Sequence, residues 1–214
     1  SGSGKSTLLR MIVGLEDITD GEMLIDGRRV NEAAPKDRNL AMVFQNYALY
    51  PHLTVYENIA FPLRLIKENK PSEEEIDRKV RDAARVLELE DHLERKPGNL
   101  SGGQRQALSL LMATFSGPKI LLLDEHTAAL DPSRAELVTR LTRQVVAEHR
   151  LTTLMVTHNM SQALEVGNRL IMMHDGRIIL ELDEQEKAGR TPADLLAEFG
   201  KIKGAVVDDK TMLS

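Results

Sequence analysis

The sequence predicts an α/β fold with a mostly parallel sheet, a helical segment inserted between two of its strands, and β-hairpins beside it. Apolar, strand-like runs at Leu40–Phe44, Lys119–Asp124 and Leu151–Thr157 are separated by stretches with helical periodicity. Strands that alternate with helices favour parallel pairing, because each helix returns the chain to the edge where the previous strand began. Two Asp-Gly pairs, at 26–27 and 175–176, stand inside short apolar stretches and predict two-residue hairpin turns.

The composition is that of a globular protein and excludes several kinds of site. Of the 214 residues, 42% are hydrophobic and 29% are charged, and the length suffices for one domain with a substantial core. The formal net charge of −5 argues against a nucleic-acid partner. The chain has no cysteine, which rules out disulfides, thiolate metal sites and cysteine nucleophiles. No apolar run approaches the roughly 20 residues that span a bilayer, so we expect any membrane-spanning partner to be a separate chain.

The first half of the chain opens with a helix and a hairpin and then turns helical. We expect the first helix to follow the opening segment SGSGKST and to end at Gly14. The stretch Glu22–Val30 predicts a hairpin. From about Leu53 to Phe115 the periodicity is helical, and Ser72 and Glu75 have the spacing of a capping box.

The second half contains one long helix, a second hairpin and a tail. Asp131-Pro132 predicts a helix start, because proline suits the first helical position. The face that this helix is expected to bury carries Val138, Leu141 and Val145. Arg169–Leu182 predicts the second hairpin. Beyond Thr191 we expect a short amphipathic helix and a frayed polar end.

The opening segment, Ser1–Thr7, has the residue types of a phosphate-binding loop. Its glycines allow backbone N–H groups to surround phosphate oxygens, and the helix N-terminus that follows favours an anion. Lys5 is expected to reach the β- and γ-phosphates, and Ser6 to hold Mg²⁺. The alternative is a flexible Gly/Ser-rich segment. The complete motif has a further glycine before Ser1, so we expect the chain to be truncated at its N-terminus. The predicted nucleotide-binding residues here are Gly2, Ser3, Gly4, Lys5, Ser6 and Thr7.

Two carboxylates end the apolar run Ile120–Leu123. A buried parallel strand presents the residues at its end to the carboxyl edge of the sheet, where α/β proteins build their sites. Asp124 is therefore expected to help hold Mg²⁺, and Glu125 to act as the general base toward water. The alternative is an acid pair at the surface.

The segment Leu100–Gln106, LSGGQRQ, lies between these two pieces of the sequence. A phosphate loop, then SGGQ, then an apolar strand that ends in Asp-Glu resembles the nucleotide-binding subunit of an ABC transporter, and the resemblance covers nearly the whole chain. It implies a P-loop NTPase with a RecA-like core, a mostly parallel sheet and an inserted α-helical subdomain. It also implies an ATPase that uses ATP and Mg²⁺.

The resemblance assigns roles at four further places. Gln45, in the family-like stretch Phe44–Ile59, would contact Mg²⁺ and the attacking water, so that Ser6, Gln45 and Asp124 are the expected metal ligands. His158 would bond the γ-phosphate and hold the water, which makes it catalytic together with Glu125 and Gln45. Asp131 would cross the interface to a second subunit, although it also suits a plain helix cap. The residues expected to complete the partner's nucleotide site are Ser101, Gly102, Gly103, Gln104 and Asp131.

The family's organisation supplies the expected partners and domain limits. Two nucleotide-binding subunits, as a homodimer or heterodimer, would meet head to tail around two ATP molecules. Permease subunits would hold the pair at the cytoplasmic face of the cell membrane, and a solute-binding protein would act indirectly. We expect one ABC ATPase domain over 1–214, with a helical subdomain at 53–116, the C-terminal part of the RecA-like core at 117–190, and a short helix and tail at 191–214.

The two halves resemble different importer groups. The first half, through ALYPHLTVYENIAFPLRL, is similar to ATPases that import sugars and glycerol phosphate. After Gln106 the sequence departs from that group: His126 stands where a proline is usual, and this half is closer to importers of amino acids or nucleoside-like solutes. We therefore hypothesise a composite sequence joined near Leu100–Ala107. Alternatives to a working importer subunit are a non-transport ABC ATPase and a truncated fragment with impaired ATP binding.

Overall fold

The computed structural model describes residues 3–44, 46–66, 69–115 and 117–211, with side chains to residue 201. The helices are α1 (Lys5–Val13), α2 (Val55–Arg64), α3 (Glu73–Val86), α4 (Gly102–Phe115), α5 (Pro132–His149), α6 (Met160–Glu165), α7 (Glu184–Lys187) and α8 (Pro192–Thr211). The strands are β1 (Leu24–Ile25), β2 (Arg28–Arg29), β3 (Leu40–Val43), β4 (Ile120–Asp124), β5 (Thr152–Val156), β6 (Leu170–His174) and β7 (Arg177–Leu182).

The three apolar runs form one parallel sheet with the order β3-β4-β5, as predicted. The central strand β4 has its three middle leucines, 121–123, completely buried. In the register of the sheet, Val43 pairs with Leu123, and Asp124 pairs with Val156. Because all three strands point the same way, the residues that follow β3 and β4 emerge at one edge of the sheet.

Helix α1 packs on this sheet and ends where the sequence predicts. Leu9 is completely buried and forms one apolar cluster with Leu122 and Val156. Gly14 has a φ of +89° and donates its N–H to the Arg10 carbonyl at 3.0 Å. A left-handed glycine after the last turn is a common helix end, because glycine has no Cβ to clash there.

The Arg38 side chain caps the C-terminal end of α1, and no feature of the sequence predicts this contact. The residue is 4% exposed. Its guanidinium donates to the carbonyls of Met11 at 2.7 Å and Ile12 at 2.9 Å, and also to Ala33 at 2.9 Å. A cation at this position satisfies carbonyls that have no partner inside the helix and complements the helix dipole.

The helical segment between β3 and β4 is stabilised by capping boxes and an apolar core. The Ser72 hydroxyl accepts the Glu75 N–H at 3.2 Å, and the Glu75 carboxylate accepts the Ser72 N–H at 2.9 Å, which confirms the predicted box. Thr54 and Glu57 form a second box at the start of α2. The apolar faces of α2, α3 and α4 share one core, to which α5 contributes Leu141.

Both predicted hairpins are confirmed. Strands β1 and β2 turn at Asp26 and Gly27, with φ values of +52° and +75°. Strands β6 and β7 turn at Asp175 and Gly176, with φ values of +45° and +73°. Positive φ at both central residues is the type I′ turn, whose twist matches that of the flanking strands.

The chain forms two compact units, one of Ser6–Val156 and one of Ser1–Lys5 together with Thr157–Ser214. The larger unit contains the parallel sheet and the helices α2 to α5. The smaller contains the second hairpin, where Leu170 and Leu182 pack with Leu195.

The C-terminal helix corrects the prediction of a short helix followed by a frayed tail. Helix α8 runs for 20 residues, from Pro192 to Thr211. It begins with the Asp194 carboxylate accepting the Thr191 N–H at 2.7 Å. Polar composition alone does not end a helix, and no proline follows Pro192 to remove a helical donor. None of the helices in the described chain is both long and apolar enough to cross a membrane.

Candidate functional site

The larger unit brings Ser6 and Asp124 together although they lie far apart in the sequence. The Ser6 hydroxyl donates to the Asp124 carboxylate at 3.2 Å. Ser6 stands in the first turn of α1, and Asp124 is the last residue of β4. A hydroxyl and a carboxylate on adjacent elements are oxygen donors of the kind that Mg²⁺ takes. The structure thus brings together two of the residues that the sequence predicts as Mg²⁺ ligands, and their role as ligands stays a prediction.

Three residues of the predicted phosphate loop, Ser3, Gly4 and Lys5, are described in the smaller unit. Gly4 has a φ of +84°, a left-handed conformation that favours glycine just before a helix. The Lys5 ammonium donates to the Ser3 hydroxyl. The Ser3 carbonyl accepts the Gly176 N–H at 3.2 Å. Gly2 lies outside the described residues, whereas Thr7 lies in the first turn of α1.

Glu125 directly follows β4 and has an unusual backbone. Its φ is +46°, which places a non-glycine residue in the left-handed region. Its N–H donates to the Val156 carbonyl at 3.0 Å, and its carbonyl accepts the Ala128 N–H at 2.9 Å. Such conformations persist where surrounding contacts impose them, and they concentrate at functional sites.

His126 is buried beside this glutamate, with 3% of its surface exposed. Its Nε2 lies 3.2 Å from the Thr142 hydroxyl on α5. Burial lowers the pKa of His126 to about 4, because the charged ring would lose its hydration. The ring is therefore neutral at physiological pH.

The signature segment, Leu100–Gln106, leads into α4 and has its own capping box. The Ser101 hydroxyl accepts the Gln104 N–H at 3.3 Å, and the Gln104 amide oxygen accepts the Ser101 N–H at 2.9 Å. The sequence predicts both residues as nucleotide contacts of a second subunit. In the single chain their side chains satisfy helix-start N–H groups.

The two signature glycines are pressed against neighbouring segments. A Cβ on Gly102 would lie 3.3 Å from the Tyr47 hydroxyl, and one on Gly103 would lie 3.2 Å from the Cβ of Arg134. Tyr47 also stacks under Arg105, whose guanidinium carbon is 5.1 Å from the ring centroid. The absence of a side chain at both positions lets the helix start lie close to the loop after β3 and to the start of α5.

Asp131 performs the capping role that the sequence offers as its alternative. Its carboxylate accepts the Arg134 N–H at 3.1 Å and the Ser133 hydroxyl at 2.8 Å. The hydrogen bond from Ser133, followed by that from the Arg134 backbone, lowers the pKa of the Asp131 carboxyl. The side chain remains nearly half exposed, so that capping leaves part of the carboxylate open to solvent.

The remaining predicted residues are His158 and Gln45. His158 is exposed and belongs to the smaller unit, two residues beyond the end of β5. The next residue, Asn159, caps α6 by accepting the Gln162 N–H at 3.0 Å. Gln45 lies outside the described residues.

Sequence reasoning missed several residues that shape the site. Tyr47 and Arg134 contact the signature glycines, and Thr142 contacts His126. No local pattern identifies such contacts, because the partners come from distant segments. For His126 the sequence offers a weak indication of burial, because this histidine closely follows a strand that is predicted to be buried. Within the described ranges, no cluster of three or more histidine and carboxylate side chains has the spacing of a metal site.

Comparison with known proteins gives one consistent family. A model of the ABC transporter family matches residues 1–128. The chain is 50% identical over 181 residues to the oligosaccharides import ATP-binding protein MsmX of Bacillus subtilis. This alignment covers 83% of the chain and 48% of MsmX. It is 46% identical over 198 residues to the trehalose import ATP-binding protein SugC of Mycobacterium tuberculosis, with 91% of this chain and 49% of SugC covered.

The chain thus spans about half the length of these curated relatives. Among solved structures, the dimeric structure of MJ0796, a bacterial ABC transporter cassette, matches with a TM-score of 0.75 and 34% identity, over 86% of this chain and 82% of that one. The alignment with MsmX covers 181 residues, which is more than the chain contains before Leu100 or after Ala107. The similarity to a sugar-import protein therefore crosses the hypothesised junction. A composite origin stays a prediction.

Proposed function

Since the chain belongs to the ABC transporter family, we propose that it binds and hydrolyses ATP as the nucleotide-binding subunit of an importer. One observation carries the proposal: the Ser6 hydroxyl and the Asp124 carboxylate lie 3.2 Å apart, and Glu125 follows at once. Transfer of a phosphoryl group to water needs a metal site beside a group that positions and deprotonates the water. These three residues supply that set.

Mg²⁺ fits the donors present, because it prefers oxygen ligands and keeps several waters of its own. Ser6 and Asp124 would hold the ion, with Gln45 as a third contact, and the bound ion would neutralise charge on the β- and γ-phosphates. Glu125 would accept a proton from the attacking water. Lys5 would pair with the terminal phosphates.

The second half of each site would come from another subunit. The start of α4 at Ser101–Gly103 presents a hydroxyl and helix-start N–H groups, which suit a γ-phosphate. The segment would act with the ATP of the partner, and Asp131 would cross the same interface. His158 would bond the γ-phosphate. The dimeric state of the related cassette MJ0796 supports a paired arrangement.

The transported solute is proposed to be a sugar, because relatives such as MsmX and SugC are named for the import of oligosaccharides and trehalose. Permease subunits would hold the pair at the cytoplasmic face of the membrane, and a solute-binding protein would deliver the sugar. An apolar cleft of about 230 Å³ would receive an apolar side chain of such a permease subunit. It is lined by Tyr50, which precedes α2, by Phe61 and Leu65 at the end of α2, and by Met112 of α4.

The first experiment measures binding of MgATP to the chain by calorimetry, followed by phosphate release. We expect Lys5→Ala to weaken binding about tenfold or more, because it removes a charged hydrogen bond to phosphate. Lys36→Ala is the matched control, since Lys36 is an exposed lysine of the larger unit. A folded chain that neither binds nor hydrolyses MgATP would refute the proposal.

A further inference from the structure

His126 is a buried titratable group next to the proposed general base, and it has no part in the proposed function. It is 3% exposed, and it lies in the turn between β4 and α5. A buried polar ring is costly unless it is hydrogen-bonded. The contact with Thr142 on α5 supplies a hydrogen bond to this ring.

The hydrogen-bond direction follows from Thr142. The Thr142 hydroxyl has one proton, which it donates to the Val138 carbonyl one turn earlier in α5, at 2.8 Å. Its oxygen can then only accept from the histidine at 3.2 Å. His126 consequently carries its proton on Nε2 and donates it to a helix whose Thr142 is itself 3% exposed.

The contact sits beside the left-handed backbone of Glu125. Two backbone hydrogen bonds, from the Glu125 N–H to Val156 and from the Ala128 N–H to the Glu125 carbonyl, hold one residue in a conformation that is unfavourable without glycine. The His126 side chain adds a third attachment, one residue later, to the buried face of α5. The turn is thereby tied to both β5 and α5.

We propose that His126 is a positioning residue, which holds the Glu125 carboxylate in place through its hydrogen bond to Thr142. The inference rests on the proposed role of Glu125 as general base. His126 need not touch ATP or water for this task. It restricts the backbone from which the base projects, and small displacements of a catalytic group lower the rate of the chemical step more than substrate binding.

The test replaces the acceptor and leaves the loop sequence unchanged. Thr142→Val removes the hydroxyl at nearly constant volume, and Thr142→Ser restores it. Thr114→Val is the matched control, because Thr114 is 4% exposed and its hydroxyl also bonds a carbonyl of its own helix, that of Leu111 at 3.0 Å. We expect Thr142→Val to lower kcat for MgATP about tenfold or more with KM nearly unchanged. Thr142→Ser and Thr114→Val should keep the kcat of the parent chain.

A second readout does not depend on turnover. Thr142→Val should speed amide hydrogen exchange at Glu125 and Ala128 relative to Leu123 inside β4, and Thr114→Val should not. A chain that fails to hydrolyse ATP would refute the proposed function, and the exchange rates would still decide whether Thr142 holds the turn. An unchanged kcat in an active Thr142→Val chain, or unchanged exchange at both amides, would overturn the inference. A loss of kcat that Thr142→Ser fails to restore would also overturn it.

Discussion

Glu125 and His126 are neighbours with contrasting surroundings, and the contrast sets their chemistry. Glu125, which directly follows β4, is partly exposed. His126 is buried and keeps a neutral ring, because the pKa falls to about 4. Partial exposure suits the proton transfer proposed for Glu125, whereas burial suits His126 to a structural role.

The buried histidine predicts a pH dependence of stability. The pKa of His126 is about 4 in the folded chain and about 6.5 when unfolded, so the unfolded state binds the extra proton first as the pH falls. The stabilising contribution is complete above pH 6.5 and is lost between 6.5 and 4. Over that window we expect the free energy of unfolding to fall by about 3 kcal/mol from this group.

Urea unfolding at a series of pH values, with EDTA present and without nucleotide, measures this change. His126→Gln should flatten the decline between pH 6.5 and 4. His149→Gln, which changes an exposed histidine at the end of α5, should leave the decline as it is. Equal slopes for all three chains would show that His126 is protonated in the folded state as readily as in the unfolded state.

Helix ends account for much of what holds the elements in place. The box at Ser72 and Glu75 follows from local spacing, and the structure confirms it. The cap that Arg38 provides for α1 is not local, because its partners Met11 and Ile12 precede it by more than twenty residues. A helix end can therefore be predicted from the sequence where the capping residue belongs to the same turn. It cannot be predicted in this way where the capping residue comes from another segment.

Gly14 is predicted to be intolerant of any side chain. A Cβ there would lie 2.8 Å from the guanidinium carbon of Arg38, and the φ of +89° strains every residue but glycine. We expect Gly14→Ala to lower the free energy of unfolding by about 2 to 3 kcal/mol, through backbone strain and weakened hydrogen bonds to Arg38. Chemical denaturation measures the change.

Gly98→Ala is the control for that measurement. The described residues place no heavy atom within 4 Å of a Cβ at Gly98, and its φ is not positive. Its effect should stay within about 0.5 kcal/mol. A Gly14→Ala chain as stable as Gly98→Ala would show that the guanidinium moves aside without cost.

The start of α4 supplies an element-scale prediction about activity. A Cβ on Gly103 would lie 3.2 Å from the Cβ of Arg134, so the start of α4 and the start of α5 would have to move apart by a few tenths of an ångström. We expect Gly103→Ala to cost little stability, about 1 kcal/mol or less, but to displace the signature segment and reduce ATP hydrolysis about tenfold or more. Phosphate release and thermal unfolding are measured on the same preparation. Full activity would show that the start of α4 tolerates the shift.

At the scale of the whole molecule, the proposed function requires two copies. If Ser101–Gly103 completes the site of a second subunit, then ATP that is bound but not hydrolysed should hold a pair together. We expect Glu125→Gln with ATP to sediment as a dimer, because the variant keeps the phosphate contacts and lacks the general base, with turnover lowered about a hundredfold or more.

Ser101→Arg in the Glu125→Gln background tests the interface. The bulky cation would block the signature surface while leaving Ser6 and Asp124 unchanged, so we expect ATP binding without dimerisation. Analytical ultracentrifugation with and without ATP separates the outcomes. A Glu125→Gln chain that binds ATP and remains a monomer would contradict the paired arrangement for this chain.

The sequence by itself determined the α/β class, the parallel strands, both hairpins, the start of α5 and the order of the phosphate loop, signature and Asp-Glu pair. These features depend on local periodicity, turn chemistry and motif spacing, which can be identified in the amino-acid sequence without knowledge of the fold. The tertiary structure decided that Ser6 meets Asp124, that Tyr47 and Arg134 press on the signature glycines, and that His126 is anchored to α5. Contacts between distant segments depend on how elements pack, so no local pattern specifies them.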